Sequence, residues 1–244
     1  MARPRLLLCP QFTEIEWAIA PGLSEWAEVA TFDAPGFGDE PAPDIGPDLV
    51  YREALVRRAL REVESRGWEE YFVAGDAWGT ATAVRVAIAQ PDRVLGVALG
   101  HASVDYATEG ERPSVNGEVV AAMTQLMSTD YDSFVRYGIT QFTQGGFDDG
   151  MATEIVRRFP PSAIAAHVWD AHVERPEPIA ELLGRVDKPL LLGKHEGCLV
   201  FTAEGYDDLV ASFPEADTVA VSKASAASEE FATALRSFCE RVAG

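Results

Sequence analysis

Positive charge is the first thing this chain is short of: 20 Lys and Arg stand against 39 Asp and Glu, a formal net charge of −19. A surface so acidic repels phosphate backbones and anionic headgroups, which excludes nucleic acid and membrane surfaces as partners. Cysteine is scarce as well. The three present (Cys9, Cys198, Cys239) are odd in number and far apart in sequence, without paired ligand spacing. That argues against a disulfide framework or a structural zinc site and for a reducing, cytoplasmic setting. No run approaches the roughly 18 apolar residues of a membrane helix. In MARPRLLLCPQF the apolar stretch is too short for a signal peptide, and no small-residue cleavage pattern comes after it. What the chain does have is 47% hydrophobic residues over 244 positions, enough for one large domain or one domain with an inserted lid.

Short apolar runs alternate with amphipathic segments in the first half, as in βα units on a mostly parallel sheet. RLLLC (5–9), EVATFDAPGFG (28–38, running into a turn), EYFVAGD (70–76) and RVLGVALGHA (93–102) read as strands. Between them, Asp48 to Arg66 carries Val56, Ala59, Leu60 and Val63 at helical spacing, and TATAVRVAIAQ (80–90) is a helix of small residues. Over 103–180 the strand rhythm stops. Helical stripes centre on Glu118–Met127, Asp132–Phe142, Asp149–Phe159 and Ser162–His172, and the stretch holds eight aromatics and every methionine but the first. EGERPSVNGE (109–118) reads as the loop leading into it. Strand rhythm returns with KPLLLGKHE (188–196), then a helix to Phe213, the strand TVAV (218–221) and a last helix that Ser228 can cap. The expected division is a core of 1–102 and 181–244 with a helical cap of 103–180.

Three segments carry a resemblance. DAPGFGDEP (33–41) resembles the Asp-x-x-Gly-x-Gly turn of the α/β-hydrolase superfamily, FVAGDAWGTATAVRVAIAQPDRVLGVAL (72–99) resembles its nucleophile-elbow segment, and IAELLGRVDKPLLLG (179–193) resembles its return from the cap. The likeness spans essentially the whole chain. It implies an α/β-hydrolase-like fold: a mostly parallel sheet flanked by helices, with a helical cap insertion and a pocket between cap and sheet.

The catalytic positions depart from that family. An elbow needs small neighbours around a strained nucleophile, and Gly75 and Gly79 supply them, but the residue between is Ala77. A methyl group cannot attack a carbonyl. The family's histidine belongs in the loop SKASAAS (222–228), which has none. The two absences together argue that the chain does not run a serine triad. The acid position is matched by Glu196, with Asp207 or Asp208 as lesser candidates. Cys9-Pro10-Gln11 stands where the oxyanion region is expected. Pro10 has no N–H to give, so Gln11 or Phe12 must supply it.

Strand ends of an open parallel sheet are where ligands bind, and here they carry Asp76, His101, His195 and Glu196, with Cys9, Gln11, Phe12 and Trp78 around them. Two imidazoles and two carboxylates suffice for acid–base chemistry without a covalent intermediate. Each has a plainer role as well. Asp76 can cap the elbow helix, His101 can be a structural hydrogen-bonder, His195 a solvated loop residue and Cys9 a buried hydrophobe. His167 and His172 are five apart, which misses the i, i+4 spacing of a two-histidine metal site, so no metal is expected there. GFG (36–38) continues as DEP and lacks the third glycine and helix of a dinucleotide fingerprint, so no nicotinamide or flavin is expected.

The sequence thus predicts a cofactor-free protein acting on a small, mainly apolar molecule by acid–base or templating chemistry such as cyclisation, elimination or isomerisation. A non-catalytic binding or sensing protein and an ester or lactone hydrolase with its nucleophile replaced by Ala77 stay open beside it. So does a homodimer through an exposed lid face.

Overall fold

The computed structural model describes residues 3–14, 17, 20, 22–44, 51–101, 116–142, 149–158, 161–169, 178–198, 202–222 and 228–244. Its centre is a six-stranded sheet of β1 (Arg5–Cys9), β2 (Glu28–Ala30), β3 (Tyr71–Gly75), β4 (Val94–Leu99), β5 (Leu190–His195) and β6 (Asp217–Val221), in the order β2-β1-β3-β4-β5-β6. All pairings are parallel. Parallel strands are covered on both faces, which is why β3 is apolar and buried at every position.

Alternation along the strands feeds two cores. On one face Leu7, Val73, Val97 and Leu192 pack with Ala59 and Val63 of α2 (Tyr51–Ser65), with α3 (Trp78–Ala89), with α8 (Ile179–Leu183) and with Tyr206 and Leu209 of α9 (Ala203–Ser212). On the other, Leu6, Leu8, Phe72, Ala98 and Leu191 meet Leu23 of α1 (Leu23–Trp26) and Phe231, Leu235 and Phe238 of α10 (Glu229–Ala243). The small residues Gly79 to Ala83 are all buried, which lets α3 lie close to the sheet.

Between β4 and β5 the described chain forms α4 (Gly117–Thr129), α5 (Tyr131–Phe142), α6 (Asp149–Arg158) and α7 (Ser162–Trp169). Met127, Phe134, Ala165 and Val168 from these helices bury against Phe12, Phe37, Tyr51 and Trp78 from the sheet domain. The Met and aromatic stripes of the insertion are therefore packing surface, with Met123 and Leu126 against the same cluster. A largely buried ion pair adds to this junction: the Arg158 guanidinium lies 3.0 Å from Asp33 Oδ2, and the Asp33 carboxylate also accepts the Glu14 and Asp39 N–H groups. Among the described residues no helix is long and apolar enough to cross a membrane.

Several boundaries move. β2 ends at Ala30 rather than running on, because Pro35 and Gly36 turn the chain and Ala34 N–H donates to Phe12 O at 2.7 Å. The elbow helix begins at Trp78, two residues before the expected start. The fourth strand stops at Leu99, where Gly100 N–H bonds Gly75 O. Residues 109–115 of the expected entry loop, Phe159, His172 and residues 223–227 of SKASAAS lie outside the described residues.

Candidate active site

Register places the site. Cys9 pairs with Gly75, Gly75 with Leu99, and Leu99 with Leu192, so β1, β3 and β4 end in line and β5 runs on to His195. The chain just past each strand is therefore delivered to one edge of the sheet: Asp76 after β3, His101 after β4, and the last residue of β5, His195, with the turn beyond it.

The elbow keeps its geometry without its nucleophile. Ala77 has φ 44° and ψ −114°, the one non-glycine residue with positive φ among the described residues. Such a backbone costs of order 1–3 kcal/mol and persists because its surroundings enforce it. Those surroundings are crowded. A Cβ on Gly75 would stand 2.3 Å from Gly79 O, and one on Gly79 would stand 2.1 Å from Cys9 O. Both glycines are demanded by close backbone approach, whatever stands at position 77.

Beside Ala77, Asp76 and His101 are buried and His195 half-buried. Asp76 Oδ1 accepts the Ala77 N–H at 3.0 Å and lies 3.7 Å from His101 Nδ1. The carboxylate thus serves the start of the elbow helix and faces an imidazole at once. The two histidine rings meet edge to face with centroids 4.8 Å apart. Burial first, and the neighbouring His195 second, hold His101 down from 6.5 to about 3, so it is neutral at pH 7. Burial lowers His195 as well. At 3.7 Å the Asp76 contact is longer than a hydrogen bond and does not offset this desolvation. His195 Nδ1 is buried and makes no hydrogen bond to any described residue.

The other expected site residues separate. Glu196 is exposed, its backbone N–H bonds Val221 O at 3.0 Å, and its carboxylate is not among the donor atoms gathered around the imidazole pair. Cys9 is fully buried, its thiol pushed up by burial, and its carbonyl accepts the Trp17 indole N–H at 3.2 Å. It is a packing residue. Phe12 stacks on Phe37 (5.0 Å) and meets Trp78 edge-on (4.7 Å), forming an aromatic wall beside the elbow, while Gln11 is half-buried. His167 sits in α7 against the Tyr51 ring, away from this group.

One further residue joins the group that sequence reasoning leaves among the scattered cysteines. Cys198 comes three positions after His195, and its sulfur and one nitrogen from each of His101 and His195 all lie within 4.8 Å of one another. From the insertion, Tyr137 of α5 comes near enough that the Cys198 charge adds to burial in raising its hydroxyl pKa. The signal in the sequence is His195-x-x-Cys198, and only the β4–β5 pairing brings in His101. A separate open cleft of about 660 Å³ lies between the 36–42 turn and the insertion, lined by Gly38, Asp39, Glu154, Arg157, Arg158 and Ile164 among others. Asp76, His101 and His195 do not line it.

No family model matches this sequence, and no curated protein matches it. Solved structures do. In fold the chain is similar to a bromoperoxidase from Bacillus anthracis (TM-score 0.80, 15% identity) and a hydrolase from Oleispira antarctica (TM-score 0.77, 13% identity). It is also similar to an enol-lactonase from Burkholderia xenovorans (TM-score 0.74, 17% identity). Each likeness covers 98% of this chain and 92% of the other. At these identities the likeness is one of fold.

Proposed function

We propose that this protein, which has the α/β-hydrolase fold, moves protons on a small, mainly apolar molecule through Asp76, His101 and His195, with no covalent step at the elbow. One observation carries the reading: the elbow holds Ala77 while two neutral imidazoles and a carboxylate converge beside it. In this scheme a neutral imidazole takes a proton from a C–H or O–H of the ligand, and its partner returns one. Asp76, 3.7 Å behind His101 Nδ1, must close to hydrogen-bond distance as the ring takes the proton in order to hold the imidazolium. Isomerisation, elimination and cyclisation all fit that requirement. The Phe12–Trp78 wall supports an apolar ligand. The test is exchange of α-protons of small apolar ketones and lactones in D₂O, followed by NMR. Exchange by the native chain that is lost in His101→Asn and in His195→Asn is the expected result. Exchange unaffected by either substitution overturns the scheme.

A second reading has its own support. The strained Ala77 backbone is what a nucleophilic serine would require. If the hydrolytic apparatus is otherwise complete, Ala77→Ser gains activity on short activated esters and lactones that the native chain lacks. No hydrolysis by either form removes this reading.

A further inference from the structure

We infer that His101, His195 and Cys198 form a three-ligand site for a borderline-soft divalent cation of the zinc class. The three donor atoms lie within 4.8 Å of one another, on two adjacent strand ends. Zinc bonds of about 2.0–2.3 Å place tetrahedral ligands roughly 3.5 Å apart, so the group closes by about 1 Å around an ion. His195 ends β5, paired with Val221, and Cys198 sits in the turn after it, so the adjustment falls on side-chain rotation and on that turn.

The donor chemistry selects the ion. Two imidazoles and a thiolate suit zinc and its neighbours, whereas magnesium and calcium demand oxygen. Three protein ligands leave the fourth position for water or a ligand, as in catalytic rather than structural zinc sites. A supporting shell is present too. Asp76 Oδ1 faces His101 Nδ1 at 3.7 Å, the carboxylate-behind-imidazole arrangement that orients metal-bound histidines, so Nε2 is the nitrogen His101 would turn to the cation. His195 Nδ1, buried without a hydrogen bond to any described residue, is a polar atom that a cation would satisfy. The Cys198 thiol proton passes to solvent when the ion binds.

The inference goes beyond the proton-transfer reading, because a bound cation takes the lone pairs that reading uses. Zinc is therefore expected to suppress proton exchange and a chelator to restore it.

The test uses the full chain, reduced and stripped with chelator, titrated with cobalt(II) alone and then with zinc as competitor. One equivalent of cobalt is expected to give tetrahedral ligand-field bands and a thiolate-to-cobalt charge-transfer band, which zinc abolishes. Cys198→Ser, at a half-exposed position, should keep the fold by circular dichroism and lose the charge-transfer band. Asp76→Asn should keep the band and weaken binding by about 10–100-fold. No thiolate band, the band unchanged in Cys198→Ser, or several weak equivalents (an adventitious ion only) would overturn the site. Because binding is read on the resting protein, cobalt binding without proton exchange sinks the function and spares the site, and the converse result does the reverse.

Discussion

His101 offers the most direct test of the site's electrostatics. The side chain is 6% exposed and titrates near 3 in the folded protein, against an ordinary 6.5. Between those two values the unfolded chain binds a proton that the folded chain refuses. The unfolded state therefore gains as pH falls, and stability drops from pH 6.5 downward with a limiting slope of about 1.4 kcal/mol per pH unit. Applied to one site with these two values, the linkage relation gives a loss of about 2 kcal/mol between pH 7 and pH 5. His101→Asn removes this titration and keeps a short polar side chain near the Nδ1 position. Equilibrium urea unfolding of both proteins at pH 7, 6 and 5, with chelator present, measures the difference. Carboxylates and His195 titrate in both proteins and largely cancel. The native chain should lose about 2 kcal/mol more than the variant over that interval. Parallel losses would mean that His101 is hydrated or already charged in the folded state, and the neutral-imidazole basis of the proposed chemistry would go with it.

Gly75→Ala should be severely destabilising, by more than about 3 kcal/mol, because its Cβ meets the Gly79 carbonyl; Gly117→Ala, whose Cβ meets nothing within 4 Å, should be neutral or slightly stabilising. Urea midpoints of the two variants check the contrast. Met127→Ala, at a fully buried position of the cluster joining insertion and sheet domain, should cost about 2–5 kcal/mol by the same measurement. Ser228→Ala should lower stability by about 1 kcal/mol, since Ser228 Oγ accepts the Phe231 N–H at 3.1 Å and caps α10.

The sheet was legible because parallel strands must be apolar on both faces. RLLLC and YFVAG announce themselves, and so does the capping serine of the last helix. β2 was overread because EVATF has strand chemistry throughout, while the end of pairing at Ala30 is set by a tertiary contact, the Ala34 N–H on Phe12 O. The helices between β4 and β5 were written in the sequence as stripes of Met and aromatic residues. Their partners Phe12, Phe37 and Tyr51 were not, since those contacts join segments far apart along the chain.

Much the same limit governs the site. The polar residues at the strand ends can be named from sequence, but which of them meet depends on strand order. Because β4 lies between β3 and β5, His101 stands in the middle of its group, facing Asp76 on one side and His195 on the other. Glu196 is one residue beyond His195 and is exposed, since the β5 end turns there and its N–H goes to Val221 O. Cys198, two residues further, returns toward the imidazoles. Distance in sequence from the strand end does not order these side chains. The turn after β5 does, and it separates a carboxylate in solvent from a thiol beside two neutral imidazoles, the step on which both the proton-transfer and the cation readings depend.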